Sequence, residues 1–300
     1  MKFLRNILDK LEPHFKKGGK LESLYPLYEA GDTFLYTPND KTKHAPFVRD
    51  NIDLKRTMIL VVLALLPCLL FGIFNVGHQY YQHVNTTATA TLIDKIVVGL
   101  TCVIPIYIVV FTVGGLTEVL FAIIRKHEVN EGFLVTGFLI PLVMPPSIPL
   151  WMVAVSTVFG VVIGKEIFGG TGYNIFNPAL VARVFAFFAY PTAMSGDTVW
   201  VWKMPESDGL TAATSLLASA KESITNINTS DYGIFNFLNG SLHNQFVDSG
   251  NYLGYAHTNV DLSWISLFMG AIPGSIGETS TLAVMMGAFL IAITGVGSRR

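Results

Sequence analysis

Apolar residues run along this chain in long blocks that are separated by polar stretches. Two blocks, residues 57–77 and 96–124, are long enough to cross a hydrocarbon layer of about 30 Å as helices, which takes roughly 20 residues. Shorter apolar blocks follow at 133–144, 150–164, 178–190, 262–276 and 281–295. The pattern predicts an all-α, polytopic membrane protein with about seven spans, some of them short or broken.

Composition supports a place in the membrane. Hydrophobic residues make up 51% of the 300 and charged residues 14%, and mean hydropathy is +0.49; soluble domains carry about 25% charged residues. A net charge of −1 gives no case for nucleic-acid binding. Cys68 and Cys102 lie in apolar blocks without metal-ligand spacing, so neither a disulfide framework nor an iron–sulfur site is predicted.

Positive charge is concentrated before the first span. Residues 1–56 hold 11 of the 20 Lys and Arg, which places the N-terminus in the cytoplasm. We therefore expect a cytoplasmic extension (1–56), a first helix bundle (57–190), an extracytoplasmic segment (191–261) and the start of a second bundle (262–300). Seven spans would leave Arg299-Arg300 outside, against the positive-inside rule. We expect either a shortened chain or a late segment that does not fully cross.

Several short segments contain helix-breaking residues. They are Pro145-Pro146, Gly169-Gly170-Thr171-Gly172 and Pro273-Gly274-Ser275-Ile276-Gly277. Backbone that leaves a helix within a membrane must be satisfied by protein or line a cavity. Glu131-Gly132 and Gly277-Glu278 each precede an apolar block, which hints at an internal repeat. The sequence therefore favours an inverted-repeat fold of the transporter or channel type.

Glu118 is an acidic residue within the second apolar block. An intramembrane carboxylate is expensive unless it serves a pathway or has a partner. It either belongs to an ion path or pairs near the cytoplasmic end, close to Arg125. The neighbouring Gly114-Gly115 allows close helix packing, and it would also let a flat ring approach the backbone.

Two amides and an aromatic run mark the fifth apolar block. Asn174 and Asn177 could present their amides to the edge of a flavin ring, or Asn177 could simply cap the helix that begins at Pro178. Phe185, Phe187 and Phe188 suit lipid or core packing, and secondarily a quinone pocket.

The polar segment between the last two groups of spans contains Asp208-Gly209-Leu210-Thr211-Ala212-Ala213-Thr214. It resembles the flavinylation signature Asp-x-x-Ser/Thr-Gly-Ala-Thr, whose last threonine is esterified to the phosphate of FMN by a dedicated transferase. Ala212 stands where the signature has glycine, which would slow the transfer if that position needs positive φ.

The chain as a whole resembles the B-subunit family (NqrB) of bacterial sodium-translocating NADH:quinone oxidoreductases. The resemblance covers essentially all 300 residues. It rests, besides the signature, on Pro13-His14-Phe15, Gly18-Gly19-Lys20, Leu27-Tyr28-Glu29-Ala30, Tyr36-Thr37-Pro38, Val48-Arg49-Asp50, Asp53-Leu54-Lys55-Arg56, Asn130-Glu131-Gly132 and the stretch from Phe168 to Leu180.

The resemblance implies a membrane subunit of a respiratory translocase in the bacterial inner membrane. Its partners would be subunits A, C, D, E and F, a flavin transferase, lipid and Na⁺. Its cofactors would be covalent FMN, riboflavin and ubiquinone.

The resemblance also implies roles for individual residues. Thr214 would carry FMN with Asp208 and Thr211 as signature neighbours, and Asn174 and Asn177 would lie near riboflavin. The remaining assignments are Gly114, Gly115, Phe185 and Phe187 to the quinone region, and Glu118 and Glu29 to sodium handling.

Two alternatives remain from the sequence. The D subunit of the Rnf complex, a ferredoxin:NAD⁺ oxidoreductase, shares the flavin threonine, but residues 1–56 match an extension that it largely lacks. A redox-inert channel of the urea or ammonium type would share the fold, but it leaves the signature at Thr214 unexplained. Members of the B-subunit family continue beyond residue 300 with further spans, so we expect the ion conduit in this chain to be incomplete.

Overall fold

The computed structural model describes residues 13–15, 25, 28, 54–83, 90–125, 132–196, 198–203, 214 and 264–297. All regular secondary structure within these ranges is helical, which confirms the predicted fold class.

Eight α-helices follow one another along the described ranges, with a 3₁₀ turn at Glu166–Phe168. They are α1 (Leu54–His83), α2 (Leu92–Arg125), α3 (Gly132–Leu142), α4 (Leu150–Gly164), α5 (Pro178–Ala189), α6 (Pro191–Met194), α7 (Trp264–Met269) and α8 (Thr281–Thr294). The apolar block 262–276 is not one continuous helix, since α7 ends at Met269. Gly270 takes a left-handed φ of 89° there, and Pro273 prevents the helix from continuing.

Three helical stretches are long and apolar enough to span a bilayer: Arg56–Gln82, Leu92–Arg125 and Leu150–Phe168. Helices α3, α5 and α8 are apolar but shorter. The described residues thus contain both long and short apolar helices, in line with the expectation that some of the spans are short. Short apolar helices of this kind need packing partners inside the bundle, because their ends leave unpaired backbone groups in an apolar setting.

Helices α1 and α2 form an antiparallel pair in close contact. Glycines make this approach possible: a β-carbon on Gly77 would overlap the carbonyl group of Lys95, and one on Gly99 would overlap that of Ile73. Small residues at an interface let helix backbones come together in lipid, where the hydrophobic effect between helices is absent. Helices α3, α4 and α5 pack around this pair and bury Val110, Ile140 and Val153 completely.

Two helix breaks, residues 143–149 between α3 and α4 and residues 270–280 between α7 and α8, are held together by hydrogen bonds. Ile276 N donates to Met144 O at 3.1 Å, and Gly277 N donates to Leu142 O at 2.8 Å. The guanidinium of Arg183, on α5, donates to the carbonyl of Val143 and to Glu278 Oε2, the latter at 2.8 Å. The backbone groups freed by the breaks are thus satisfied by protein, as the apolar surroundings require.

The two breaks also share a sequence pattern. Pro145-Pro146-Ser147-Ile148 joins α3 to α4, and Pro273-Gly274-Ser275-Ile276 joins α7 to α8. Ile148 and Ile276 are both buried in the core cluster. Each unit is a short helix, a Pro-x-Ser-Ile break and a longer helix. Helices α4 and α8 run in the same direction, because both are antiparallel to α1, so this shared pattern is local and does not relate the two units as an inverted repeat.

Helix α8 runs antiparallel to α1. Gly287 lies against the carbonyl of Ala64, and residue Ile276, before α8, lies against Gly72, so positions along the two helices change in opposite directions. Helix α8 therefore ends at the end of the bundle where α1 begins. The six described residues of α7 are too few to cross a bilayer, in line with the expectation that a late segment does not fully cross.

Asn75 links α1 to the second break, and its replacement should destabilise the protein. Its Nδ2 donates to Ile272 O at 2.9 Å and to Thr279 Oγ1 at 3.3 Å. Asn75→Leu leaves a carbonyl without its donor, so we expect a loss of about 1–3 kcal/mol. The measurement is the thermal midpoint in detergent. Thr112→Val is the control, because the exposed Thr112 hydroxyl bonds only to its own helix; equal effects of the two changes would contradict the assignment.

Candidate functional site

Four charged side chains meet where α2 ends and α4 ends. Lys165 Nζ donates to Glu118 Oε1 and lies 3.9 Å from Glu166 Oε1, and Arg125 Nη1 lies 3.6 Å from Glu166 Oε2. Glu118, Lys165 and Glu166 are 4%, 2% and 1% exposed, whereas the side chain of Arg125 is 33% exposed. We call these four residues the charge quartet.

The end of α4 places Lys165 and Glu166 in the quartet. Lys165 N still donates to Val161 O, and the chain then tightens into the 3₁₀ turn Glu166–Phe168. Gly169 closes this turn with φ 116°, a left-handed conformation that glycine adopts without a steric penalty. Two consecutive charged side chains are thereby turned inward from the end of an otherwise apolar helix.

The quartet holds two acids and two bases, so its formal charges cancel. A buried ion is tolerated only when it is paired, because taking it out of water costs several kcal/mol. One atom remains incompletely satisfied: Glu166 Oε2 is buried and accepts no hydrogen bond from the described residues. Arg125 faces it at 3.6 Å, beyond hydrogen-bonding distance.

An aromatic ring forms the apolar wall of the quartet. Lys165 Nζ lies 6.0 Å from the centroid of Phe133, at the start of α3. The same ring packs on the glycine pair of α2: a β-carbon on Gly114 would lie 2.6 Å from its edge, and one on Gly115 would lie 3.8 Å away. Gly114, Gly115 and Glu118, singled out separately in the sequence, thus belong to one site.

The partner of Glu118 differs from the sequence expectation. Pairing was anticipated near Arg125, but Arg125 faces Glu166, and Glu118 pairs with Lys165 across 47 positions of sequence. Glu118 does not reach toward the surface, since it is buried. This pairing depends on how α2 and α4 pack together, which the sequence alone does not show.

Asn174 and Asn177 both make local hydrogen bonds. Asn177 Oδ1 accepts from Ala179 N at 2.9 Å and caps α5, as the capping interpretation predicted. Asn174 Oδ1 accepts from Gly172 N at 3.1 Å, and its Nδ2 donates to Phe176 O at 2.8 Å. In the described part of the chain, Asn177 Nδ2 makes no hydrogen bond and keeps both of its N–H groups available, whereas Asn174 Nδ2 already uses one of its two.

An apolar groove of about 750 Å³ lies between α4 and α5. Asn177 is at its polar margin, and Phe185, stacked on Phe159 at 4.2 Å between centroids, forms part of its wall. Phe187 does not line it and is half exposed. The residues predicted for a quinone region therefore separate: Gly114 and Gly115 face Phe133, whereas Phe185 faces the groove.

The segment that leads toward Thr214 packs at the opposite end of the bundle. Ser147 Oγ donates to Val199 O at 2.6 Å, and Trp202 contacts Tyr80 near the end of α1. Cys102 Sγ donates to Pro146 O at this same end. Cys102 and Glu118 are separated on α2 by about 24 Å, at 1.5 Å per helical residue.

Of the other residues predicted for cofactor or ion sites, the structure describes only Thr214. Thr214 is half buried. Glu29, Asp208 and Thr211 lie outside the described residues. Within the described ranges, no three or more His, Cys, Asp or Glu residues form a group that could hold a metal ion.

Sequence reasoning missed the roles of Lys165, Glu166 and Phe133 in the site. The available signal was the Lys165-Glu166 pair directly after an apolar block. Two adjacent charges at the end of a span deserve the same attention as an acid within one.

The adjacent glycines Gly114 and Gly115 provide a matched test of the packing against Phe133. Gly114→Ala places a methyl group 2.6 Å from the ring, and we expect a loss of about 1–3 kcal/mol from overpacking. Gly115→Ala meets nothing closer than 3.8 Å and should be neutral or stabilising. Thermal midpoints of the two purified variants check this; a larger loss in Gly115→Ala contradicts the geometry.

Known proteins resemble this chain over almost its entire length. The B subunit of the Na⁺-translocating NADH-quinone reductase of Pseudomonas aeruginosa is 45% identical over 318 aligned residues, which cover 99% of this chain and 70% of the relative. The protein of the same name from Chromohalobacter salexigens is 45% identical over 316 residues, covering 99% and 68%. That of Klebsiella pneumoniae is 43% identical over 324 residues, covering 99% and 71%. Residues 41–300 match the family described as NQR2, RnfD, RnfE, and the chain belongs to that family.

Proposed function

We propose that the chain is the membrane-embedded B subunit of a Na⁺-translocating NADH:quinone reductase in the bacterial inner membrane. The observation that carries this proposal is the 45% identity to proteins of that name over 99% of the chain. In the proposed role it holds FMN on Thr214, contributes to riboflavin and ubiquinone sites, and takes part in Na⁺ passage beside the other subunits, A and C to F. The Rnf alternative shares the family, but the relatives reported above are all named as the B subunit of the reductase.

The arrangement of the bundle supports the orientation predicted from charge. Helix α1 begins at the end of the bundle that holds Arg125, because α1 and α2 are antiparallel. Residues 198–203 pack at the other end. A cytoplasmic N-terminus therefore goes together with an extracytoplasmic start for the segment that contains Thr214.

FMN attachment requires a hydroxyl group that a transferase can reach. Transfer forms a bond between Thr214 Oγ1 and the phosphorus of FMN while the bond from that phosphorus to the leaving group of the transferase's flavin donor breaks, and the threonine hydroxyl gives up its proton. The flavin ring is not part of that bond, so the protein around it sets its redox behaviour, and the bound flavin supplies electron transfer. Thr214 is half buried, so part of its surface stays accessible to a transferase.

The groove between α4 and α5 suits a flat or prenylated cofactor. Its walls are aromatic and aliphatic, and Asn177 Nδ2 offers one hydrogen-bond donor at the margin. Asn174 does not line this groove, and its Oδ1 and Nδ2 both take part in local hydrogen bonds. Asn177 is therefore the better candidate of the two for a riboflavin contact, and Phe185 the better candidate of the two phenylalanines for a quinone contact.

Glu118 is the candidate Na⁺ ligand among the described residues. Sodium is a hard cation that prefers oxygen ligands, and a buried carboxylate can replace part of its hydration shell. Glu118 is buried about two turns before the end of α2, with Lys165 against it. The negative charge of Glu118 must be compensated both with and without bound Na⁺. Ion binding and the position of Lys165 are therefore electrostatically linked.

Thr214→Ala should abolish covalent flavin. We expect the intact mass of the chain, produced with its flavin transferase, to exceed the unmodified mass by one FMN less one water, and this increment to disappear in the variant because the acceptor hydroxyl is gone. Ser215→Ala is the control, since it removes the adjacent hydroxyl and should keep the increment. An unmodified mass in the unaltered chain would overturn the FMN assignment.

Glu118→Gln should raise the Na⁺ concentration needed for half-maximal quinone reduction by the assembled complex. The amide keeps the shape of the side chain but removes the negative charge that attracts the ion, and we expect a change of about tenfold or more, equivalent to about 1.4 kcal/mol. Asp94→Asn serves as control, because this exposed carboxylate on the same helix bonds only to Thr91. Equal Na⁺ requirements in all three proteins would remove Glu118 from the ion path.

A further inference from the structure

The carboxylate proposed to take Na⁺ already has a cation against it. Lys165 Nζ donates to Glu118 Oε1, and both side chains are buried. Water cannot screen this pair effectively, and a sodium ion could not join it without leaving an excess positive charge in an apolar interior. Any Na⁺ that binds Glu118 must therefore displace the ammonium group or be accompanied by another loss of positive charge.

A second acceptor for Lys165 is close at hand. Glu166 Oε1 lies 3.9 Å from Lys165 Nζ, about 1 Å beyond the usual length of a charge-assisted hydrogen bond. Glu166 is almost completely buried, and its Oε2 accepts no hydrogen bond from the described residues. The lysine side chain has a flexible four-carbon stem, so its ammonium group can move by about 1 Å while the backbone of the turn stays in place.

Arg125 can leave the quartet without being buried elsewhere. Its side chain is one-third exposed, it reaches Glu166 only at 3.6 Å, and its guanidinium lies 5.4 Å from the centroid of Phe121 at the end of α2. Its charge can be taken up by solvent. The quartet thus contains two buried acids, one movable cation between them, and one cation at the boundary with water.

We propose that Lys165 is a tethered counter-cation that holds the place of Na⁺ at Glu118 and passes to Glu166 when Na⁺ binds. Arg125 gives way to Lys165 at Glu166 by turning toward solvent, so the buried site keeps two positive and two negative charges in both states. This inference rests on the proposed role of Glu118 in Na⁺ handling. It assigns to Lys165 a positioning role that sets Na⁺ affinity, and to Glu166 the role of alternative partner.

The two residues should change Na⁺ affinity in opposite directions. Lys165→Met removes the competing cation, keeps a linear side chain beside Phe133, and should lower the apparent KM for Na⁺ of the assembled complex about fivefold or more. Glu166→Gln removes the alternative partner, so Lys165 stays on Glu118, and the KM should rise by a similar factor. The measurement is NADH-driven quinone reduction over a range of Na⁺ concentrations, with kcat recorded separately.

Lys95→Met is the matched control. Lys95 also lies over an aromatic ring, with Nζ 5.9 Å from the centroid of Phe74, but at the other end of α2. The change removes a cation from the same helix bundle without touching the quartet. The KM for Na⁺ should stay unchanged.

The outcomes separate this inference from the proposed function. Turnover of the unaltered complex that does not depend on Na⁺ overturns the proposed function itself. A Na⁺-dependent unaltered complex in which the two variants shift the KM in the same direction, or leave it unchanged, overturns the exchange of Lys165. If Lys165→Met does not assemble, Glu166→Gln decides, because it keeps the Glu118 and Lys165 pair; an unchanged or lower KM then overturns the inference.

Discussion

The buried ion pair between Glu118 and Lys165 constrains how the helices around it can pack. Breaking a buried pair by removing one partner costs about 3–5 kcal/mol, because the charge that stays behind is uncompensated. Helices α2 and α4 must therefore meet with these two side chains in register. The close approach at Gly114, the ring of Phe133 and the tight turn after Gly164 all serve that register.

The chemistry-bearing residues of the chain are divided between the ends of the bundle. The charge quartet lies at the end where α2 finishes, and the segment 198–203 that leads toward Thr214 packs where α2 starts. Under the proposed function, flavin chemistry and ion binding act on opposite ends of the same long helix. Their linkage would then be a coupling free energy carried by the bundle, since the two sites do not touch.

Much of the helical layout could be predicted from sequence, because it follows from local properties. The apolar blocks predicted both ends of α4 correctly and the ends of α8 to within one residue. Asn177 and Pro178 indicated where α5 begins. The short α7 was overestimated because apolarity continues past Gly270, although the helix does not. The length of an apolar block reports only hydrophobicity. A helix ends where the backbone takes a left-handed φ, at a residue such as glycine that tolerates this conformation.

The candidate site could be predicted only in part, since its key contacts are tertiary. Glu118 and the glycine pair were visible as anomalies in an apolar block, but the partner of Glu118 lies 47 residues away. No local pattern distinguishes Lys165 from Arg125 as that partner. Likewise, the separation of Gly114 from Phe185 depends on which face of α4 each neighbour occupies.

The hydrogen bonds between the two helix breaks have a consequence for biosynthesis. The carbonyl groups of Leu142 and Met144 receive their hydrogen bonds from Gly277 and Ile276, which the ribosome adds more than 130 residues later. Until then these carbonyls need temporary partners, such as water or the insertion machinery. The first helices therefore cannot reach their final packing as they emerge, and the membrane assembly of this protein is completed from its C-terminal side.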